Sequence, residues 1–196
     1  MITICDFEDS FTYNLYSDFV EDYKVSIVQA KDVKSYFKSK LHSTVKEVIV
    51  LGPGPGHPSQ YKDLHEIIKG LMLNNYIFLF GVCLGHQIIW EALGKSCIHS
   101  KEPVHGQSIP LDLTNSNFSK LLQKSRLSMQ RYNSLCISLN NTEYSELDKN
   151  GWTLLVQNTE LLMSYKENLL TYQFHPESIG TSCKNELYIP VKTFLI

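Results

Sequence analysis

One cysteine in this sequence has a setting that suits covalent chemistry. Cys83 lies in the segment Gly81-Val82-Cys83-Leu84-Gly85, after the apolar run 76–80 and before the helix-compatible stretch 86–92. This order predicts a nucleophile elbow, a strand-to-helix turn whose flanking glycines relieve the crowding around a strained residue. The helix behind the sulfur would favour a thiolate through its free N–H groups. A buried structural cysteine is the alternative, and it is our interpretation of the cysteines that lack such a frame: Cys5, Cys97, Cys136 and Cys183.

A histidine and a glutamate two residues apart can supply the base that such a nucleophile needs. His175 ends the apolar segment 169–174 and is followed by Pro176 and Glu177. Residues two apart in extended chain point to the same side, so Glu177 can fix the tautomer of the His175 ring. Histidine can both accept the thiol proton and protonate a leaving group near neutral pH. The predicted catalytic triad is therefore Cys83, His175 and Glu177.

Two other interpretations of His175 and Glu177 stay open at this point. The pair could belong to a surface turn, or it could bind a metal with Cys83 as the third ligand. The His-x-Glu pattern of zinc deaminases needs a Pro-Cys-x-x-Cys partner, which the sequence lacks. We expect neither a metal nor another cofactor.

A glycine- and proline-rich loop is the third feature that could take part in the chemistry. The apolar segment 48–51 runs into Gly52-Pro53-Gly54-Pro55-Gly56-His57-Pro58. Prolines stiffen such a loop and glycines expose its N–H groups, so Gly54 and the N–H of Leu84 could form an oxyanion hole. A purely structural turn is the alternative. The loop has neither a P-loop lysine nor the GxGxxG pattern, so it does not indicate nucleotide binding.

The first half of the chain has the pattern of an α/β fold. Short apolar segments alternate with longer stretches that can carry helices, which is typical of parallel strands; the segments are 2–5, 25–28, 48–51 and 76–80. A first helix is predicted from Asp9 and Ser10 as caps through Phe19, and another over residues 61–75, where apolar residues recur at helical spacing. These elements would deliver the chain to Cys83.

The second half of the chain indicates largely antiparallel strands. Short candidate strands with few helices between them cover residues 108–113, 135–139, 153–157, 161–165 and 169–174. The stretch 184–196 is ambiguous, because Pro190 interrupts a helix-compatible pattern. With no repeat or linker, we expect one α/β domain over residues 1–196 with a mixed sheet.

With these residues in place, the chain resembles the glutaminase subunits of anthranilate synthase and aminodeoxychorismate synthase, within the class I (triad) glutamine amidotransferases. The resemblance spans nearly the whole chain and rests on these motifs: DFEDSFTYNL (6–15), LGPGPGHP (51–58), GVCLGHQ (81–87), His105-Gly106, RYNSL (131–135) and QFHPESI (173–179).

The resemblance implies a flavodoxin-like three-layer α/β fold with a central, mostly parallel mixed sheet. It implies the same triad, and L-glutamine bound by a set of six residues: Gly54, Pro55, Gly56, Gln87, Ser134 and Leu135. The ammonia would pass to a separate chorismate-binding synthase subunit, in p-aminobenzoate or anthranilate synthesis, which the motifs do not separate. Two positions depart from the family pattern: Asn133 stands where histidine is usual, and Phe7 where asparagine is usual. The segment after Ile179 also matches poorly.

Composition and charge exclude several other classes of protein. The chain is 43% hydrophobic and 19% charged, and it has no apolar run long enough to span a membrane. A net charge of −2 without a basic cluster argues against nucleic acid as a partner. The five cysteines show no CxxC pairing and the first residues lack the features of a secretory signal, so we expect a cytoplasmic protein.

Two rival functions follow from the same residues. A peptidase or another amidase could share the fold and triad, because these alone do not define a substrate. A catalytically inactive subunit that only regulates a partner is the alternative without enzymatic activity, although an intact set of Cys83, His175 and Glu177 argues against it.

Overall fold

The computed structural model describes residues 1–196 as two sheets and eight α-helices. The strands are β1 (Ile2–Asp6), β2 (Val25–Gln29), β3 (Glu47–Leu51), β4 (Ile77–Val82), β5 (Cys97–Asp112), β6 (Arg126–Ile137), β7 (Thr153–Gln157), β8 (Glu160–Lys166) and β9 (Leu169–Tyr172). The α-helices are α1 (Thr12–Phe19), α2 (Ala30–Lys40), α3 (His65–Met72), α4 (Leu84–Ala92), α5 (Asn117–Leu121), α6 (Asn141–Lys149), α7 (Lys184–Leu187) and α8 (Ile189–Leu195). A 3₁₀ helix covers Pro58–Leu64.

A seven-stranded sheet in the order β2-β1-β3-β4-β9-β8-β7 forms the centre of the molecule. Strands β2, β1, β3, β4 and β9 are parallel to one another, whereas β8 and β7 continue the sheet in antiparallel pairing. The expected mostly parallel mixed sheet is confirmed. Every residue of β1, β3, β4 and β9 is buried, which explains why these strands are nearly continuous apolar runs.

Alternate residues of the parallel strands supply two cores, one on each face of the sheet. In β3, Val48 and Val50 belong to the core that includes Leu15 and Phe19 of α1. Ile49 lies in the opposite core with residues of α2, α3 and α4. Covering both faces in this way makes the three-layer architecture that the resemblance implied.

Strands β5 and β6 form a separate two-stranded antiparallel sheet. The predicted strands 108–113 and 135–139 are thus the ends of a long hairpin and not members of the central sheet. The hairpin contacts the segment that follows β9 through an isolated bridge between Gln130 and His175. It therefore reaches the predicted catalytic histidine directly.

Three local features differ from the expectation or refine it. The stretch predicted as one helix over 61–75 is the 3₁₀ helix followed by α3, with a kink at Tyr61. Helix α6, which the apolar pattern did not indicate, has a capping box formed by Asn140 and Glu143. Pro190 stands in the first turn of α8, where the missing N–H costs nothing, so it begins a helix rather than interrupting one. None of the helices is long and apolar enough to cross a membrane.

Candidate active site

Cys83 occupies the sharp turn between β4 and α4. It has φ 52° and ψ −102°, a conformation that is strained for a residue with a Cβ. The turn also requires a glycine at position 85, because a Cβ there would lie 1.9 Å from the carbonyl oxygen of Leu51 at the end of β3. The predicted elbow is present, and Cys83 is only 8% exposed.

His175 is brought to this turn by the neighbouring strand. The N–H of Cys83 donates to the carbonyl of Tyr172, the last residue of β9, at 2.8 Å. Three residues further on, the N–H of His175 donates to the carbonyl of Gln130 in β6 at 3.0 Å. The hydroxyl of Thr181 donates to the His175 carbonyl at 2.6 Å, which holds the chain after the histidine.

His175 and Glu177 form a buried pair. Nδ1 of His175 is 2.7 Å from Oε1 of Glu177, and the two side chains are 3% and 0% exposed. The other ring nitrogen, Nε2, is buried and makes no hydrogen bond of normal geometry within the chain. Burial of the ring opposes protonation, but the Cys83 thiolate and the Glu177 carboxylate outweigh it and raise the pKa of His175 well above its ordinary value. This arrangement favours the protonated form of the imidazole.

Two aromatic rings fix the plane of the imidazole. The ring centroid of Phe11 is 4.9 Å from that of His175. Tyr132 lies on the hairpin and meets the same ring edge to face at 5.2 Å. The imidazole therefore has little freedom to rotate away from Glu177.

A pocket of about 190 Å³ opens beside the sulfur. Its lining is the segment 54–56, Cys83, Leu84, Gln87 and the segment 132–135. Every residue that the resemblance implied for glutamine binding thus lines one pocket together with Cys83. A roughly 520 Å³ groove elsewhere lies between the loop at Ser116 and α6, and it contains none of these residues.

Two backbone donors of this pocket are unused within the chain. Neither the N–H of Leu84, the first residue of α4, nor that of Gly54 donates a hydrogen bond to another protein group. Gly54 packs tightly against Leu84, because a Cβ at Gly54 would lie 2.6 Å from Leu84 Cδ2. The geometry brings together the two donors that the sequence suggested for an oxyanion hole; that role stays a prediction.

The far wall of the pocket is held by side-chain amides. The amide nitrogens of Gln87 and Asn133 donate to the carbonyl of Leu135 at 3.0 and 2.9 Å. Asn133 also accepts from Nε of Arg131 at 3.0 Å. The residue that departs from the family pattern therefore supports the pocket wall.

Some residues around the site were not singled out from the sequence. Gln173 is fully buried, and its amide nitrogen lies 3.8 Å from the sulfur of Cys83. The side chain of Gln130 accepts from the N–H of Gly180 at 2.8 Å and so supports the turn after Glu177. The period of two along 173–175 was a usable signal for Gln173, whereas Gln130 and Phe11 are brought in only by tertiary contacts. No group of three or more His, Cys, Asp or Glu side chains is arranged to hold a metal ion.

The chain belongs to the class-I glutamine amidotransferase family, because residues 3–190 match the family described as "Glutamine amidotransferase class-I". Among similar proteins, Anthranilate synthase component 2 of Haemophilus influenzae is 32% identical over 188 residues, covering 92% of this chain and 90% of that protein. Anthranilate synthase component 2 of Helicobacter pylori is 33% identical over 178 residues, covering 88% and 86%.

Solved structures show the same fold at low sequence identity. A glutamine amidotransferase from Thermotoga maritima aligns with a TM-score of 0.62 and 15% identity, covering 98% of this chain and 81% of that one. The glutaminase domain of Trypanosoma brucei CTPS with bound acivicin aligns with a TM-score of 0.64 and 14% identity, covering 97% and 93%.

Proposed function

We propose that this chain hydrolyses L-glutamine to glutamate and ammonia at Cys83, and that a chorismate-binding synthase subunit uses the ammonia. The observation that carries the proposal is the elbow cysteine beside the buried pair of His175 and Glu177, at the base of a small pocket. The names of the anthranilate synthase relatives, which are called component 2, support a separate synthase component as partner.

In the first half of the reaction, the Cys83 thiolate attacks the side-chain amide carbon of glutamine. The carbonyl oxygen becomes an oxyanion, for which the N–H groups of Gly54 and Leu84 are the available donors. His175 then gives its proton to the amide nitrogen, the C–N bond breaks and ammonia leaves. A thioester between Cys83 and the glutamyl group remains.

In the second half, water completes the hydrolysis. His175, now neutral, takes a proton from the water as the water oxygen attacks the thioester carbon. The C–S bond breaks, glutamate leaves, and the thiolate beside the imidazolium is restored. Glu177 keeps the proton of Nδ1 in place throughout, so that Nε2 carries out both transfers.

The size of the pocket favours an amino acid over a peptide as substrate. About 190 Å³ is less than the roughly 300–1,000 Å³ of sites for drug-sized ligands. We expect the walls formed by residues 54–56 and 132–135 to admit a single amino acid with its side-chain amide at Cys83. This argues against the peptidase alternative.

Replacing Cys83 with alanine tests the proposal. We expect glutamine-dependent product formation by the reconstituted complex to fall by about 10³-fold or more, because the nucleophile is lost. Ammonium salts should still support the synthase, since only the source of ammonia is removed. Cys97→Ala, at the start of β5, is the matched control and should keep both activities.

The partner for this assay is the synthase subunit recovered with the tagged full chain from its own cells. Its aromatic product, separated by chromatography, distinguishes anthranilate from p-aminobenzoate. Undiminished use of glutamine by the Cys83→Ala complex would overturn the proposed function.

A further inference from the structure

Two glutamine side chains form a buried chain of hydrogen bonds behind the nucleophile. Gln173 is fully buried and Gln87 is 4% exposed. Nε2 of Gln87 donates to Oε1 of Gln173 at 3.1 Å. The amide nitrogen of Gln173 in turn lies 3.8 Å from Sγ of Cys83, within reach of an N–H···S hydrogen bond. Gln173 takes no part in the proton transfers of either half of the proposed hydrolysis.

The orientation of both amides is fixed by a backbone carbonyl. The Leu135 carbonyl can only accept, so the group of Gln87 that points to it at 3.0 Å must be the NH₂. The second hydrogen of that NH₂ then requires an acceptor, which is Oε1 of Gln173. With its oxygen committed, Gln173 can present only N–H to the sulfur. An amide flip at either residue would leave a buried donor facing a donor or an acceptor facing an acceptor.

We propose that the Gln173 amide is a thiolate-stabilising group for the reaction at Cys83, and that Gln87 and the Leu135 carbonyl are the positioning groups that aim it. A donor that faces a thiolate makes a charge-assisted hydrogen bond, which is stronger than the one it makes to a neutral thiol. Cys83 is 8% exposed, so little water is available to replace that donor. The amide therefore offsets part of the desolvation of the thiolate and directs the sulfur toward the pocket.

The chain of amides also connects the sulfur to the substrate pocket. Leu135 lines the pocket, and its carbonyl accepts from Asn133 as well as Gln87. Through Gln87, the same carbonyl therefore links the pocket wall to the donor at the sulfur. This part of the inference rests on the proposed function, because it takes the pocket to be the glutamine site.

The inference is tested by the pH dependence of Cys83 alkylation with iodoacetamide, measured on the full chain with the modified cysteine assigned by peptide mass spectrometry. For Gln173→Leu we expect the alkylation rate at pH 7 to fall by about tenfold or more, the effect of losing one hydrogen bond to a charged group. The pH of half-maximal rate should move upward. The other titratable side chains near the sulfur, His175 with Glu177 and Cys97, are unchanged in this variant.

Gln157→Leu, at the exposed end of β7, is the matched control and should keep the original rate and profile. An unchanged profile for a natively folded Gln173→Leu variant would overturn the inference. If that variant does not fold, the test is the side-chain ¹⁵N NMR signal of Gln173 in the unaltered protein. This signal should shift with the same pH midpoint as the alkylation rate. A signal that does not shift with pH would overturn the inference.

Alkylation needs no glutamine, so the two proposals fail separately. A chain that does not hydrolyse glutamine but loses reactivity in Gln173→Leu would contradict the proposed function alone. A chain that hydrolyses glutamine and keeps its full reactivity in Gln173→Leu would contradict only the role of Gln173.

Discussion

The chemistry of the site depends on whether the His175 ring is protonated. The thiolate of Cys83 and the carboxylate of Glu177 both favour the protonated ring, and together they outweigh its burial. The His175 ring therefore stays protonated at pH values at which an ordinary histidine is neutral, and it can supply the proton that the leaving ammonia needs. Glu177 supplies a negative charge as well as an acceptor, so an uncharged substitute cannot replace it fully.

Glu177→Gln should lower the pKa of His175, because one of the two groups that raise it is lost. The imidazolium then deprotonates at lower pH, and the alkaline limb of the kcat/KM profile for glutaminase activity should move to lower pH. We expect kcat/KM near pH 8 to fall by about 10²–10⁴-fold, the range for loss of efficient acid–base catalysis. Glu186→Gln, whose carboxylate pairs with Lys124 on the surface, is the control. An unshifted alkaline limb would show that Glu177 only supports the structure.

Residue types and spacing were sufficient to predict that Cys83, His175 and Glu177 lie close together, because each follows a recognisable strand. The period of two along 173–175 could place Gln173 at the site, but the orientation of its amide was not predictable in the same way. That orientation is set by hydrogen bonds through Gln87 to the Leu135 carbonyl, and no local sequence pattern links these three residues. Tertiary pairing of β6 with the site decides which way the amide points.

At the scale of elements, the loop after β3 packs closely against the elbow, and this packing places the N–H groups of Gly54 and Leu84 that we propose as oxyanion donors. Gly85 donates its N–H to the carbonyl of Gly52 at 3.2 Å, and its missing Cβ allows the approach to Leu51. The elbow after β4 is thus joined directly to the end of β3. Such contact tolerates no side chain at this position.

Gly85→Ala should lower the free energy of unfolding by about 3 kcal/mol or more, because the added methyl group meets a backbone carbonyl that cannot rotate away. Gly94→Ala provides the comparison: it has φ +83° but no atom within 4 Å of its would-be Cβ. Only the backbone strain of about 1 kcal/mol applies there. Thermal and urea unfolding measure the free energy of unfolding of both variants. An equal decrease in the two variants would contradict the packing argument.

The hairpin that forms one wall of the pocket is anchored by a buried ion pair. Arg131 of β6 and Glu160 of β8 are 8% and 9% exposed in their side chains, and their guanidinium and carboxylate groups are in contact. Glu160 also accepts from the hydroxyl of Ser100 in β5. This pair therefore ties both strands of the hairpin to the central sheet.

Glu160→Gln should destabilise the protein by about 3–5 kcal/mol, since it leaves the Arg131 charge buried without its partner. Asp112→Asn breaks the pair with Arg126 on the same hairpin, where both side chains are well exposed, and should have no measurable effect on unfolding. We also expect a raised KM for glutamine in Glu160→Gln, because residues 132–135 follow Arg131 in the wall. If Glu160→Gln were as stable as Asp112→Asn, the pair of Arg131 and Glu160 would not anchor the hairpin.

Elements with an apolar stripe or a buried apolar run were predictable, and the others were not. Helix α6 has no buried residue, so its only signal was the capping box at Asn140 and Glu143. The strands of the hairpin were recognised in part, but alternating patterns do not reveal which sheet a strand joins. That assignment depends on pairings between β5 and β6 and on the bridge to His175.

At the scale of the whole molecule, the site lies where two sheets meet. The carboxyl ends of β3, β4 and β9 lead into the loop at Gly54, Cys83 and His175, and an open α/β sheet is expected to bind its ligand at this edge. The hairpin closes this edge and completes the pocket. The motifs placed residues of both parts at the site, whereas the hairpin itself and the way it joins the central sheet could be seen only in the folded chain.

The most direct test of glutamine chemistry at Cys83 is to label the full chain with a diazoketone analogue of glutamine, which reacts with a thiolate held in a glutamine site. Intact-protein mass spectrometry and peptide mapping then identify the modified residue. We predict a single adduct, on Cys83, whose formation is slowed by excess L-glutamine. An adduct on any other cysteine, no adduct, or labelling of Cys83 that L-glutamine does not slow would contradict the proposed chemistry.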